Sequence, residues 1–245
     1  MFMVLIRQKF LENLTKLVYF LFIACISATT MPQTLPKVGT QEIVGKVNNI
    51  SIEALVQSPS AQETPLQIVC VFEYTEGDIF TSPPALPKEL NGLLHVDAAL
   101  HGLITELRKT NKFEGKDLET LLITPPPNTI PAKKLLLIGL GNRNAFKEEK
   151  MRMIGVTGMR EALRLGVSSY THASDVKDGG VDSITGAVTG YVTQGALEGY
   201  KTQQFLKGQN ASENLTVNKV TILTGPAFFE DSIVGIKKAI ENFNP

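Results

Sequence analysis

The segment 133–146, with the sequence KKLLLIGLGNRNAF, constrains the fold more than any other part of the chain. Its apolar run 135–138 contains no polar residue, which is typical of a strand buried on both faces of a sheet. The GLGN sequence at 139–142 indicates a tight turn, and the charged stretch after it is typical of a helix start. The segment therefore predicts a buried strand that leads through a turn into a helix.

Strands and helices alternate across the rest of the chain. Apolar β-type runs predict strands at 50–56, 66–74, 118–124, 135–138, 167–173 and 220–224. Apolar residues at helical spacing predict helices at 95–109, 147–165, 183–207 and 228–243. This order favours a three-layer α/β/α domain with a mixed, largely parallel sheet.

The charge balance argues against nucleic-acid binding. The chain has 24 basic and 24 acidic residues, a formal net charge of zero and no basic block longer than a pair of lysines. Proteins that bind DNA or RNA usually present a basic patch to the phosphates. We therefore expect no nucleic-acid partner.

The N-terminus resembles an export signal. Three basic residues precede the apolar run 17–28, which at about a dozen residues is shorter than the ~20 that a membrane span needs. The sequence predicts a signal peptide over 1–28 with cleavage after Ala28, and a periplasmic or secreted protein. An alternative is lipoprotein processing at Cys25, the one route by which we expect membrane attachment. Residues 29–49 are predicted to form a flexible linker.

The Gly-Leu-Gly sequence after the strand raises the question of a nucleotide site. Glycines at such a turn let backbone amides approach a pyrophosphate, but the full pattern has a third glycine where Asn144 stands. A structural turn is therefore the favoured interpretation. Ligand binding, if present, is predicted at the C-terminal ends of the central strands, at Gly139, Gly141, Asn142 and Gly225.

Two groups of polar residues resemble metal ligands in composition. His95, Asp97 and His101 are spaced so that the two histidines fall on different helix faces, and solvated surface residues are expected there. The group of His172 with the aspartates 175, 178 and 182 lacks the spacing of a calcium loop, which favours a polar connection. No metal and no cofactor are predicted.

Two further features are interpreted as packing. Cys70 lies in an apolar run and is expected to be a small buried residue rather than a nucleophile. The predicted helix 183–207 contains glycines at 186, 190, 195 and 199, each of which costs roughly 1 kcal/mol relative to alanine. Four of them indicate close packing against a neighbouring element.

Two segments of the second half carry a family resemblance. The run KKLLLIGLGNRNAFKEEKMRMIGVTGMREALRLGVSS at 133–169 resembles the N-terminal domain of the leucine (cytosol) aminopeptidases, where an apolar strand ends in Gly-Leu-Gly and a helix leads to Leu-Gly-Val. QGALEGY at 194–200 is similar to the Glu-Gly-Ala-Leu helix of that domain, although the residues after it are out of step. The resemblance implies a macrodomain-like domain over 50–245.

The resemblance also sets expectations about function. Full-length family members bind two metal ions in a catalytic domain whose signature, Asn-Thr-Asp-Ala-Glu-Gly-Arg, does not occur in this sequence, so no catalytic or metal-binding residue is carried over. We expect an exported, non-catalytic domain that acts in protein interaction or oligomer assembly, with itself or with a full-length aminopeptidase. The alternative is a macrodomain-like binder or hydrolase of a nucleotide or another phosphorylated ligand.

Overall fold

The computed structural model describes residues 34–75 and 86–243, so the predicted signal peptide lies outside the described residues. The strands are Gln41–Val47 (β1), Ile50–Val56 (β2), Gln67–Phe72 (β3), Thr120–Ile123 (β4), Leu135–Gly141 (β5), Ser169–Ala173 (β6) and Lys219–Thr224 (β7). The helices are Gly92–Ala99 (α1), Leu103–Lys109 (α2), Lys150–Arg164 (α3), Thr185–Gly208 (α4) and Phe229–Glu241 (α5).

The strands form one mixed sheet. Its order is β1-β2-β7-β6-β3-β5-β4, with parallel pairing from β2 through β5 and antiparallel pairing at the two edges. The prediction of a mixed, largely parallel sheet is confirmed. The parallel strands end on one side of the molecule, where the connections to the helices gather.

Alternating side chains of the central strands separate two helical layers. In β3, Val69 and Val71 pack with α1 and α2, whereas Ile68 and Cys70 pack with α3, α4 and α5. Every residue of β3 is buried, which is why its sequence is continuously apolar after Gln67 rather than alternating. The result is the predicted α/β/α arrangement.

The glycines of α4 lie at close contacts with the two helices beside it. A Cβ on Gly195 would overlap the carbonyl oxygen of Arg152 in α3. On the other side of α4, a Cβ on Gly190 would lie 3.1 Å from the carbonyl oxygen of Gly235 in α5. The close packing predicted for this helix is therefore present. Among the described residues, no helix is long and apolar enough to span a membrane.

The structure differs from the sequence prediction at the start of the domain. Residues Gln41–Val47, inside the predicted linker 29–49, form β1 and pair with β2. Gly45 of this strand approaches Ile240 of α5 so closely that a Cβ there would lie 2.9 Å from the side chain. The strand is an edge strand and largely exposed, so its sequence shows no strong apolar alternation.

The helix predicted over 95–109 is two helices. The chain turns at His101 and Gly102, both with positive φ, of 57° and 81°. The Asp97 carboxylate accepts hydrogen bonds from the backbone N–H groups of Ile104 and Thr105, at 2.8 and 3.1 Å, and so caps the second helix. Apolar periodicity continues across this break because both helices cover the same sheet face.

Candidate functional site

A cavity of about 360 Å³ opens at the C-terminal ends of β2, β6 and β7. Its wall is mainly apolar, and the side chains that form it include Val56, Pro59, Val176, Val188, Leu223 and Phe228. The start of α1 and the first turns of α4 complete the part of the wall that the structure describes. Ligand sites of α/β sheets commonly lie at this edge, and their volumes begin at about 300 Å³.

Two aspartates of the β6–α4 connection join the cavity wall to neighbouring elements. Asp175 Oδ2 accepts a hydrogen bond from the backbone N–H of Cys70 in β3, at 3.0 Å. Asp178 Oδ2 accepts one from the backbone N–H of Leu93 in α1, also at 3.0 Å, and a second from Gly92. The two carboxyl groups are close enough to influence each other's pKa. The pair therefore fixes this connection to both β3 and α1.

The surroundings of these carboxyl groups raise the pKa of both. Burial raises the pKa of Asp175 well above its ordinary value, and the charge of Asp178 raises it further. Burial also raises the pKa of Asp178, but hydrogen bonds from backbone N–H groups oppose that rise. Asp175 therefore keeps its proton to a higher pH than an exposed aspartate does.

His172 of β6 and Cys70 of β3 are fully buried. The Nε2 atom of His172 is 3.7 Å from the Cys70 sulfur, and burial lowers the pKa of His172 to about 3. Burial raises the pKa of Cys70 well above its ordinary value, with a further contribution from Asp175. Both groups are therefore neutral near pH 7, and a neutral, enclosed thiol is not a nucleophile, as the sequence predicted.

Lys177, a basic residue of the cavity wall, has an acidic neighbour. Its Nζ atom lies 2.7 Å from Asp182 Oδ1 and 5.5 Å from the centre of the Phe228 ring. His95 also lines the cavity. The wall thus offers an anion little uncompensated positive charge.

Of the four residues predicted to bind a ligand, Gly225 alone lines this cavity. A Cβ on Gly139 would overlap the carbonyl oxygen of Lys116, so that glycine permits a backbone approach. Gly141 has a φ of 72° beside Asp117, and Asn142 Oδ1 accepts a hydrogen bond from the N–H of Asn144 at 2.9 Å. The structure does not bring these three residues together with Gly225.

The polar groups that resembled metal ligands have other roles. Asp97 was expected at the surface, but it is 1% exposed and caps α2. Asp175 and Asp178 form the enclosed pair rather than a solvated connection, whereas Asp182 is exposed. Within the described ranges, no group of three His, Cys, Asp or Glu side chains could hold a metal ion. The sequence did carry one signal for the pair, the tight turn indicated by Asp-Gly-Gly at 178–180.

The fold and the cavity at its strand ends define a macrodomain-like α/β/α protein. A profile described as "Cytosol aminopeptidase family, N-terminal domain" matches residues 79–208, just over half of the chain. The chain belongs to this family, and the matched part is its N-terminal domain.

Curated relatives agree with this assignment. A probable cytosol aminopeptidase of Thermosynechococcus vestitus is 38% identical over 99 residues, which cover 40% of this chain and 18% of the relative. A probable cytosol aminopeptidase of Alkaliphilus metalliredigens is 42% identical over 78 residues, which cover 31% of this chain and 15% of the relative. The matched part of this chain thus spans less than a fifth of the length of each of these relatives.

Solved structures share the fold. A variant of tomato leucine aminopeptidase superposes with a TM-score of 0.55 at 20% identity. The match covers 87% of this chain and 39% of the tomato chain. A macrodomain variant of Oceanobacillus iheyensis superposes with a TM-score of 0.50 at 14% identity. The match covers 83% of this chain and 100% of the macrodomain. At these identities the likeness establishes the architecture alone.

Proposed function

We propose that this domain acts in protein interaction and assembles with a second copy of itself through the groove between α4 and α5. The observation that carries the proposal is an open groove of about 470 Å³ on the outer side of these helices. The family resemblance, which implies that this domain helps to form the aminopeptidase oligomer, supports the same role. A non-catalytic role remains part of the proposal.

The floor of the groove is made of small residues. Gly186 and Gly190 of α4 and Gly235 of α5 lie there, where the two helix backbones approach each other. Tyr191 and Phe243 contribute aromatic side chains to the lining. A floor without side chains and a lining with aromatic groups suit a helix or a loop of a partner.

The surroundings of the groove favour a second copy as the occupant. Ile184, the residue directly before α4, and Val234 of α5 are large apolar residues that are 72% and 65% exposed. The groove lining also carries both signs of charge, with Glu198 and Lys201 from α4 and Lys238 from α5. A surface with both signs can be complementary to itself across a two-fold axis.

The test is the light-scattering mass of the purified protein over a range of concentrations. We expect a dimer, and we expect Val234→Glu to shift it to the monomer because the new charge would be buried at the interface. Met153→Glu is the matched control, since Met153 is also exposed but lies on α3. A monomer at every concentration contradicts self-assembly, and co-purification with a full-length cytosol aminopeptidase instead would identify a heterologous partner.

A second candidate function is the binding of a small ligand in the cavity at the strand ends. The sequence predicted a nucleotide or another phosphorylated ligand, and Gly225 of the predicted set lines the cavity. A Trypanosoma brucei macrodomain, described in complex with ADP, has the same fold at 14% identity and a TM-score of 0.50. A rise in melting temperature with ADP that Gly225→Val abolishes would support this function, and no response to any ligand would count against it.

Export remains part of the proposal as well. It rests on residues 1–28, outside the described ranges, where the sequence predicts either cleavage after Ala28 or lipid attachment at Cys25. The mass and N-terminal sequence of the protein isolated from its own cells test both alternatives. An unprocessed N-terminus would contradict export by either route.

A further inference from the structure

The cavity at the ends of β2, β6 and β7 contains a polar group that its own fold leaves unsatisfied. The hydroxyl oxygen of Ser174 is buried, and it has no hydrogen-bond partner among the residues that the structure describes. Ser174 lines the cavity directly after β6. Buried hydroxyl groups in proteins are nearly always hydrogen-bonded, so this one indicates a partner that enters the cavity.

Several other hydroxyl and carboxyl groups of the wall are already engaged. Thr224 Oγ1 accepts a hydrogen bond from Ser232 Oγ at 3.2 Å, and Thr189 Oγ1 donates to backbone carbonyls of its own helix. Asp178 is occupied by Asp175 and by the start of α1. Ser174 differs from them because its hydroxyl is both buried and without a hydrogen-bond partner among the described residues.

The electrostatics of the wall oppose a phosphate at this anchor. Glu89 and the aspartates 175 and 178 line the wall, and these acidic side chains would not attract a phosphate. Lys177, a basic residue of the wall, is already paired with Asp182 at 2.7 Å. Phosphate sites usually supply several N–H donors or cations, and a phosphate here would face like charge instead.

We propose that this cavity binds an uncharged, mainly apolar small molecule whose single hydroxyl or amide group hydrogen-bonds to Ser174. The apolar body fills the space between Val56, Val188 and Leu223, and the polar group meets the one unsatisfied hydroxyl. The inference rests on the second candidate function, ligand binding in this cavity, and names the class of ligand. It is independent of self-assembly through the α4–α5 groove.

Benzyl alcohol and benzyl phosphate form a matched pair of probes, because they share the apolar ring and differ in the polar group. Titration followed by amide chemical shifts gives both the affinity and the location of binding. We expect saturable binding of benzyl alcohol with shifts around Ser174 and Gly225, and affinity at least about tenfold lower for benzyl phosphate and for ADP. Ser174→Ala should weaken alcohol binding about 2- to 10-fold, through the loss of one hydrogen bond.

A tryptophan pair shows whether the probe occupies the cavity. Ala227 is exposed and lines the cavity, so Ala227→Trp should fill it and abolish alcohol binding with the fold intact. Ala211→Trp, at an exposed position outside the lining, should leave binding unchanged. Tighter binding of benzyl phosphate or ADP keeps the ligand-binding function but overturns the proposed ligand class. If no probe binds saturably up to its solubility, the proposal is overturned together with that function. The same holds if benzyl alcohol binds equally well to Ala227→Trp.

Discussion

The helical layer around α4 and the strand-end edge around the cavity are held by different kinds of contact. In the helical layer, Gly195 and Gly190 let backbone lie against backbone. At the strand ends, Asp175 and Asp178 join loop, strand and helix by accepting hydrogen bonds from the backbone N–H groups of Cys70 and Leu93. The glycine contact has no room for one additional atom and does not depend on pH, whereas the polar edge contains a group, Asp175, whose protonation changes with pH. The contacts that respond to pH are therefore the ones beside the cavity.

The largest effect should come from Gly195→Ala. The added Cβ overlaps the carbonyl oxygen of Arg152, and because that atom is backbone, α3 and α4 must separate. We expect the free energy of unfolding to fall by about 3 kcal/mol, at the upper end of the range for overpacking. Urea denaturation measures this loss. Gly208→Ala is the control, since nothing lies within 4 Å of a Cβ there, and equal midpoints for the two variants would refute the backbone contact.

A smaller loss is expected from Asp178→Ala at the polar edge. The backbone N–H groups of Gly92 and Leu93 lose their acceptor, and unsatisfied buried donors of this kind destabilise by about 2 kcal/mol. Urea denaturation again gives the value. Asp182→Ala removes an exposed carboxylate from the same connection and should leave the midpoint unchanged. Similar midpoints for both aspartate variants would show that the buried pair does not hold α1.

The pH dependence of stability separates the two regions further. His172 is protonated near pH 6.5 in the unfolded chain but only near pH 3 in the folded protein, since burial lowers its pKa. The unfolded state binds more protons between these values, so this contribution to stability is fully present above pH 6.5 and is lost as the pH falls toward 3. Asp175, whose pKa is raised, acts in the opposite sense and loses its contribution as the pH rises.

Comparison of His172→Gln with the natural protein isolates the histidine, because Asp175 titrates in both. As the pH falls below 6.5, the variant should gain stability relative to the natural protein by up to about 1.4 kcal/mol per pH unit. Urea midpoints measured between pH 4 and pH 7 give the difference. This range covers most of the window, roughly pH 3 to 6.5, in which the folded and unfolded states differ in the protonation of the histidine. His101→Gln, at an exposed position, should show no such trend. Parallel pH profiles for the two variants would contradict burial of a neutral His172.

The smallest effect is expected on the outer side of the helical layer. Arg152 and Glu198 join α3 and α4 by an ion pair of 2.7 Å, but the arginine side chain is half exposed. Arg152→Ala should change the free energy of unfolding by about 0–1 kcal/mol, as is usual for surface pairs. A loss as large as that of Gly195→Ala would mean that charge, rather than close backbone contact, holds these helices together.

The features that the sequence predicted correctly are those set by long apolar patterns. Buried strand β5 and the long helix α4 follow directly from a continuous apolar run and from helical spacing with four glycines. β1 was missed because an edge strand buries little and so carries a weak pattern. The break before α2 was missed because a single side chain, Asp97, stabilises it from the preceding helix.

The candidate site was harder to predict than the fold. The strand-end edge was expected, and Gly225 was named, but the turn at Gly139 and Gly141 proved to lie outside the cavity lining. Asp175 and Asp178 resembled a solvated loop because carboxylates usually lie in water. Their enclosure depends on β3 and α1 coming from elsewhere in the chain, and local sequence contains no record of that contact.

The position of β7 in the sheet has a consequence for the order of folding during synthesis. Among the described strands, β1 and β2 are translated first, yet β2 pairs on its inner side with β7, and Glu53 lies opposite Thr221, 168 residues later. An isolated two-stranded hairpin is marginally stable in water. These two strands must therefore wait for β7, which inserts into the interior of the described sheet rather than being added at an edge.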